Sequence, residues 1–70
     1  MIQFSRFSDG CFVLHKIEIG RNKYSAWFGK DGTLFSAELV LQNGNTRDIG
    51  ERQTEVRRQL QAIGNRYKEN

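Results

Sequence analysis

Proline is missing from this chain, and cysteine and histidine occur once each, as Cys11 and His15. One cysteine cannot close a disulfide within a chain, and one cysteine with one histidine cannot fill a four-ligand structural metal shell. Both common staples of small domains are thereby excluded within a single chain, and oligomerisation is the one that remains. Long apolar runs are absent too. The densest are Cys11 to Leu14 and Leu39 to Leu41, far short of the roughly 20 residues a membrane helix needs. Met1 to Arg6 lacks the basic start and apolar run of a secretory signal. The expectation is a soluble protein of the reducing cytoplasm, with no membrane contact.

What is present is enough to fold. Hydrophobic residues make up 37% and charged residues 27% of the chain, an ordinary globular balance that argues against disorder. Seventy residues fit one domain, 1–70, with a thin core, since chains this short bury only about 60% of their unfolded surface. Eleven Lys and Arg against eight Asp and Glu give a net charge of +3. That modest excess is compatible with a phosphate-rich partner without requiring one. It is shared unevenly: residues 46–70 carry six basic and four acidic side chains, and residues 1–45 carry five and four.

Apolar alternation defines the first two thirds. Ile2 to Phe7 reads as a strand that runs into a Ser8-Asp9-Gly10 turn. Cys11 to Ile19 reads as a second strand, with Val13, His15, Ile17 and Ile19 on one face and Phe12, Leu14, Lys16 and Glu18 on the other. Gly20 to Lys23 supplies a turn, and Tyr24 to Phe28 a third strand with Ser25 and Trp27 on one side. Asp31-Gly32 between two alternating runs is a strong hairpin signal, so Thr33 to Leu41 is expected to pair antiparallel with the third strand. Asn43-Gly44 then ends the sheet near residue 45. No internal repeat is apparent.

The period changes after that. Ile49, Gln53, Val56, Leu60, Ile63 and Tyr67 recur at intervals of four and three, one stripe of an α-helix. Asp48 is placed to cap it, with Glu51 three residues on as in a capping box, and Gly64-Asn65 can supply its stop. The helix is expected at about 49–64. The resulting fold class is α+β: an antiparallel three- to four-stranded β-meander with one C-terminal amphipathic helix packed on one face. The expected core is Val13, Ile17, Ile19, Ala26, Phe28, Phe35, Ala37, Leu39, Val56, Leu60 and Ile63.

That arrangement leaves Phe12, Leu14, Trp27, Leu34 and Val40 on the uncovered sheet face. Apolar patches of this kind tend to mark interaction sites, so these five are the candidates for a homodimer or protein interface. The same surface would hold Trp27 near Lys16, Arg21 and Lys23, a way to stack bases and meet phosphates. Lys30 in the next turn, and Arg57 and Arg58 off the apolar stripe of the helix, complete the candidate nucleic-acid contacts. Strand order from about Cys11 to Ile63, three antiparallel strands and then a helix, resembles the arm-site DNA-binding domains at the start of tyrosine recombinases; no motif accompanies the likeness.

Catalytic readings fare worse. Cys11 and His15 share a strand face but stand about 13 Å apart at roughly 3.3 Å per residue, too far for a thiol and its base. The acidic residues are spread among turns, strands and the helix, and no pair is marked as an acid and base. Gly29-Lys30-Asp31-Gly32 has the Gly-x-x-Gly form of a KH loop, but strands flank it where that loop joins helices. The expectation is a non-enzyme with no catalytic residue, no metal, no cofactor and no evident small-molecule ligand. It would serve as an accessory or regulatory domain that binds nucleic acid, or as a protein-interaction module such as a dimeric inhibitor or regulator.

Overall fold

A computed structural model describes residues 1–69. Its elements are β1 (Gln3–Arg6), β2 (Phe12–Ile19), β3 (Asn22–Phe28), β4 (Leu34–Val40), β5 (Thr46–Asp48) and α1 (Thr54–Tyr67). The strands form one antiparallel sheet in chain order, β1-β2-β3-β4-β5, and α1 lies across one face. The class is the expected α+β meander, with five strands where three or four were expected.

Three of the four hairpins are closed by one five-residue device. It occupies Phe7 to Cys11, Gly29 to Thr33 and Leu41 to Asn45. In each, the glycine at the fourth position donates its N–H to the first carbonyl, at 3.0, 2.9 and 3.0 Å. The first N–H donates to the fifth carbonyl at 2.8, 2.9 and 2.8 Å. The side chain of Asp9, Asp31 or Asn43 accepts from the fifth N–H at 3.0, 2.9 and 2.9 Å. Gly32, at φ +88, shows why glycine is needed: this left-handed residue closes the three-residue hairpin loop that follows a type I turn. The device is a repeat in structure that the sequence hides, because only Asp/Asn-Gly recurs. It also explains the fifth strand. Asn43-Gly44 does not end the sheet but turns the chain back into β5, whose three residues are too few to show alternation.

Two bulges decide which side chains lie under the helix. β2 pairs with β3 through Leu14 opposite Ala26 and then Ile17 opposite Tyr24, with the register shifted between them. Lys16, at φ 60, is the only non-glycine residue among those described with a left-handed backbone. The extra residue flips the alternation. Phe12 and Leu14 before the bulge, and Ile17 and Ile19 after it, therefore share the helix side. Phe12 and Leu14 are 0% exposed, which corrects their expected place on the free face. Val13 instead pairs with Trp27 on the side away from the helix, outside the main core cluster. A second shift in β4 sets Ser36 opposite Trp27 and Leu34 opposite Phe28. Phe35, expected in the core, is the unpaired residue between them and is 81% exposed, while Leu34 packs against the core.

The rest of the core is as the periodicity implies, with Ile17, Ala26, Phe28, Ala37 and Leu60 buried and Ile19, Leu39, Val56 and Ile63 packed against them. Phe12 and Phe28 stack at 5.0 Å, and Phe4 extends the stack to Tyr67 at 6.1 Å. Arg6 lies over Phe4 and Phe12 at 5.3 and 5.2 Å and donates to the carbonyls of Gly10 and Lys68. Gln61 clamps the helix to the third hairpin: its side-chain oxygen accepts from Leu34 N–H at 2.8 Å and its amide donates to the Gly32 carbonyl at 2.6 Å.

The helix begins at Thr54 rather than near Ile49 and continues to Tyr67. Asp48 does not cap it, because Asp48 is in β5 opposite Glu38 and Ile49 N–H still bonds the Ala37 carbonyl at 3.0 Å. Sheet pairing outcompetes the capping box. Gln53 holds the cap position without a side-chain bond. Gly64 does not stop the helix. It lets Phe28 approach, since a Cβ there would lie 2.2 Å from the Phe28 ring. No helix among the described residues is long and apolar enough to cross a membrane.

Two outcomes follow. Glycine-to-alanine changes normally stabilise a helix interior by about 1 kcal/mol, but Gly64→Ala should destabilise this fold by about 1–3 kcal/mol through overpacking, measured by urea denaturation. Asp31 is held below the ordinary aspartate range, first by the Thr33 N–H and then by the Thr33 hydroxyl. Its depressed folded pKa gives stability that is present above the unfolded value and lost as pH falls through the folded one. Asp31→Asn, which keeps the acceptor as Asn43 does, should flatten the acid limb of stability below about pH 4.

Candidate nucleic-acid interface

The β2–β3 connection is a two-residue loop, Gly20-Arg21, with positive φ at its first residue only, as in a type II′ turn. It places Arg21 at a hairpin tip and Lys23 on the first paired turn of β3. Lys16 lies further down the same hairpin, at the bulge. All three are exposed, and the one ion pair among the described residues, Arg58 with Glu55 at 3.5 Å, involves none of them. Glu18 faces Lys23 in register without forming a salt bridge. A left-handed lysine costs about 1–2 kcal/mol, and here the bulge holds it in place.

The other candidates lie elsewhere. Lys30 sits in the β3–β4 turn at the opposite end of the sheet and packs beside Gly10. Arg57, half-buried on α1, donates to the Ile49 carbonyl at 3.5 Å, and Arg58 is engaged by Glu55. Both are on the helix side. Trp27 and Val40 are on the free face as expected, each half-buried. Val13 joins them opposite Trp27; the rest of that face is polar, and register brings Glu38 directly opposite Asp48 and next to Ser25. The structure therefore brings Lys16, Arg21 and Lys23 together on one hairpin, and it separates them from Lys30, Arg57 and Arg58.

At the end of the sheet where β3 and β4 meet their turns lies an open groove of about 620 Å³. It is lined by Arg21, Asn22 and Lys23 and by Leu39, Val40, Leu41, Gln42 and Gly44; Leu39 pairs with Tyr24 on the helix side, and Val40 with Lys23 on the free face. Asn22 and Gln42 escaped the sequence reading, since isolated amides in turns carry no pattern; the groove they line together was needed to find them.

His15 and Ser25 form a polar pair set into the sheet. His15 Nδ1 and Ser25 Oγ are 2.8 Å apart, and the Trp27 ring meets the imidazole edge-on at 6.0 Å. Ser25 is buried, and this hydrogen bond satisfies it at the bulge. Cys11 has no such base. Its thiol is held above the ordinary range, chiefly by desolvation and then by the Asp9 side chain, the reverse of what a nucleophile needs.

Comparison with family models, with curated proteins and with solved structures finds no match. Lys16 is the residue through which fold and charge can be separated. Lys16→Gly should leave stability unchanged or raise it by up to about 1 kcal/mol, because glycine adopts positive φ without strain. Lys16→Val should lower it by more than that. Paired thermal melts check both signs.

Proposed function

We propose that this chain is a non-enzymatic nucleic-acid-binding accessory domain that meets the phosphate backbone with the β2–β3 hairpin. The observation that carries the reading is the grouping of Lys16, Arg21 and Lys23 on one hairpin, exposed and outside any ion pair among the described residues, beside a groove lined in part by Leu39, Val40 and Leu41. Cations without a protein partner keep counterions that a phosphate chain displaces, and that release drives association. Glu38 and Asp48 on the free face oppose phosphate, so contact belongs to the hairpin end rather than to Trp27. A cytoplasmic location goes with this reading, and with the single free cysteine.

Binding should then be strongest at low salt. Three phosphate contacts on a single strand imply a log–log salt slope of about −2, and on a duplex nearer −3. Replacing Arg21 and Lys23 together by Gln should remove most of the slope without shifting the melting temperature, while Lys30→Gln leaves it intact. A salt-independent isotherm, or none at low salt, contradicts the proposal.

A protein-interaction role, as a homodimer or a regulator of another protein, is favoured by a different observation: Phe35 stands 81% exposed near the half-buried Trp27. Interfaces concentrate energy in such aromatic anchors. Light scattering distinguishes the two readings. A stable dimer that Phe35→Ser converts to monomer, and that ignores nucleic acid, would support this second one.

A further inference from the structure

The groove between the two hairpin tips is more than a gap between charged loops. It is lined by Arg21, Asn22, Leu39, Leu41 and Gln42; Asn22 Nδ2 donates to the Tyr24 hydroxyl at 3.4 Å, which leaves its carbonyl oxygen for a base edge. A pure phosphate-binding surface needs cations and backbone N–H groups; it gains nothing from an apolar floor flanked by side-chain amides. A nucleobase uses all of these. Its ring faces are apolar, its edges carry both donors and acceptors, which Asn and Gln match with one carbonyl and one amide each, and the phosphates on either side carry charge. The volume of about 620 Å³ falls within the roughly 300–1,000 Å³ of sites that take small molecules.

We infer that the groove receives one unpaired nucleotide of a single strand, with its base against Leu39 and Leu41, its edge toward Asn22 and Gln42, and its phosphate at Arg21. Lys16, and Lys23 from the other face of the strand end, add positive charge on the same hairpin. This rests on the nucleic-acid reading above and adds strand state to it. Duplex DNA holds its bases stacked and paired, so seating one would require opening a step, at a cost of a few kcal/mol. A flexible single strand has little to open. The charge complementarity acts on both forms, and the groove acts on one.

The test uses the intact chain with fluorescein-labelled oligothymidylate and with the duplex it forms with oligoadenylate, both at low salt. The single strand should bind at least about tenfold tighter, the equivalent of part of one opening step. Gln42→Leu, at an exposed turn position, removes an edge partner at similar volume without touching a charge; it should weaken single-strand binding about fivefold, the loss of one hydrogen bond, and leave duplex binding unchanged. Asn22→Ala should act in the same direction, and Arg21→Gln should weaken both forms. Equal or tighter duplex binding, or a Gln42→Leu variant that binds the single strand as the parent does, overturns the groove assignment alone. Absence of binding to either form overturns it together with the reading beneath it.

Discussion

The bulge at His15 and Lys16 is the constraint on which the rest of the structure depends. A regular β2 would present Phe12 and Leu14 to one face and Ile17 and Ile19 to the other, and a single helix can cover only one of them. The shift between Leu14 and Ile17 puts all four on the helix side. Burying two further large side chains contributes about 3–6 kcal/mol, against about 1–2 kcal/mol for the left-handed backbone at Lys16. In a chain of seventy residues, where total stability is itself only a few kcal/mol, that difference decides whether the domain has a core.

The same bulge governs the surface. It turns Phe12 and Leu14 inward, so the free face keeps Trp27, Val13 and Val40 among serines and carboxylates rather than forming a broad apolar patch. Ser25 and His15 satisfy each other there at 2.8 Å. Lys16, Arg21 and Lys23 are then exposed on the β2–β3 hairpin, and Arg21 and Lys23 also line the groove. Core formation and the left-handed, exposed Lys16 are two results of one backbone irregularity.

Much of this was open to reading from the residues, and the exceptions share a cause. The alternation of Tyr24, Ala26 and Phe28 against Ser25 and Trp27 gave β3 its correct faces, because β3 runs regularly between its hairpins. Asp31-Gly32 marked its turn, and the Val56, Leu60, Ile63 stripe marked the buried face of the helix. Phe12, Leu14 and Val13 came out on the wrong sides because strand periodicity carries no signal for an inserted residue, and Lys16 is not a residue that advertises positive φ. Phe35 failed for the same reason in β4. The helix start moved from Asp48 to Thr54 because a long-range pairing, Glu38 with Asp48, competes with a local cap and wins. Of the candidate site, the basic residues were visible singly; their grouping, and the amides Asn22 and Gln42, depended on strand five and the hairpin geometry.

The most direct measurement of the central claim is an amide ¹H–¹⁵N map of the chain titrated with oligothymidylate at low salt. The account places the shifting resonances at Lys16, at Arg21 to Lys23 and at Leu41 to Gly44, with the Trp27 indole unmoved. Shifts concentrated at Trp27 and Phe35, with the hairpin tips silent, would contradict it and move the binding surface to the helix-free face.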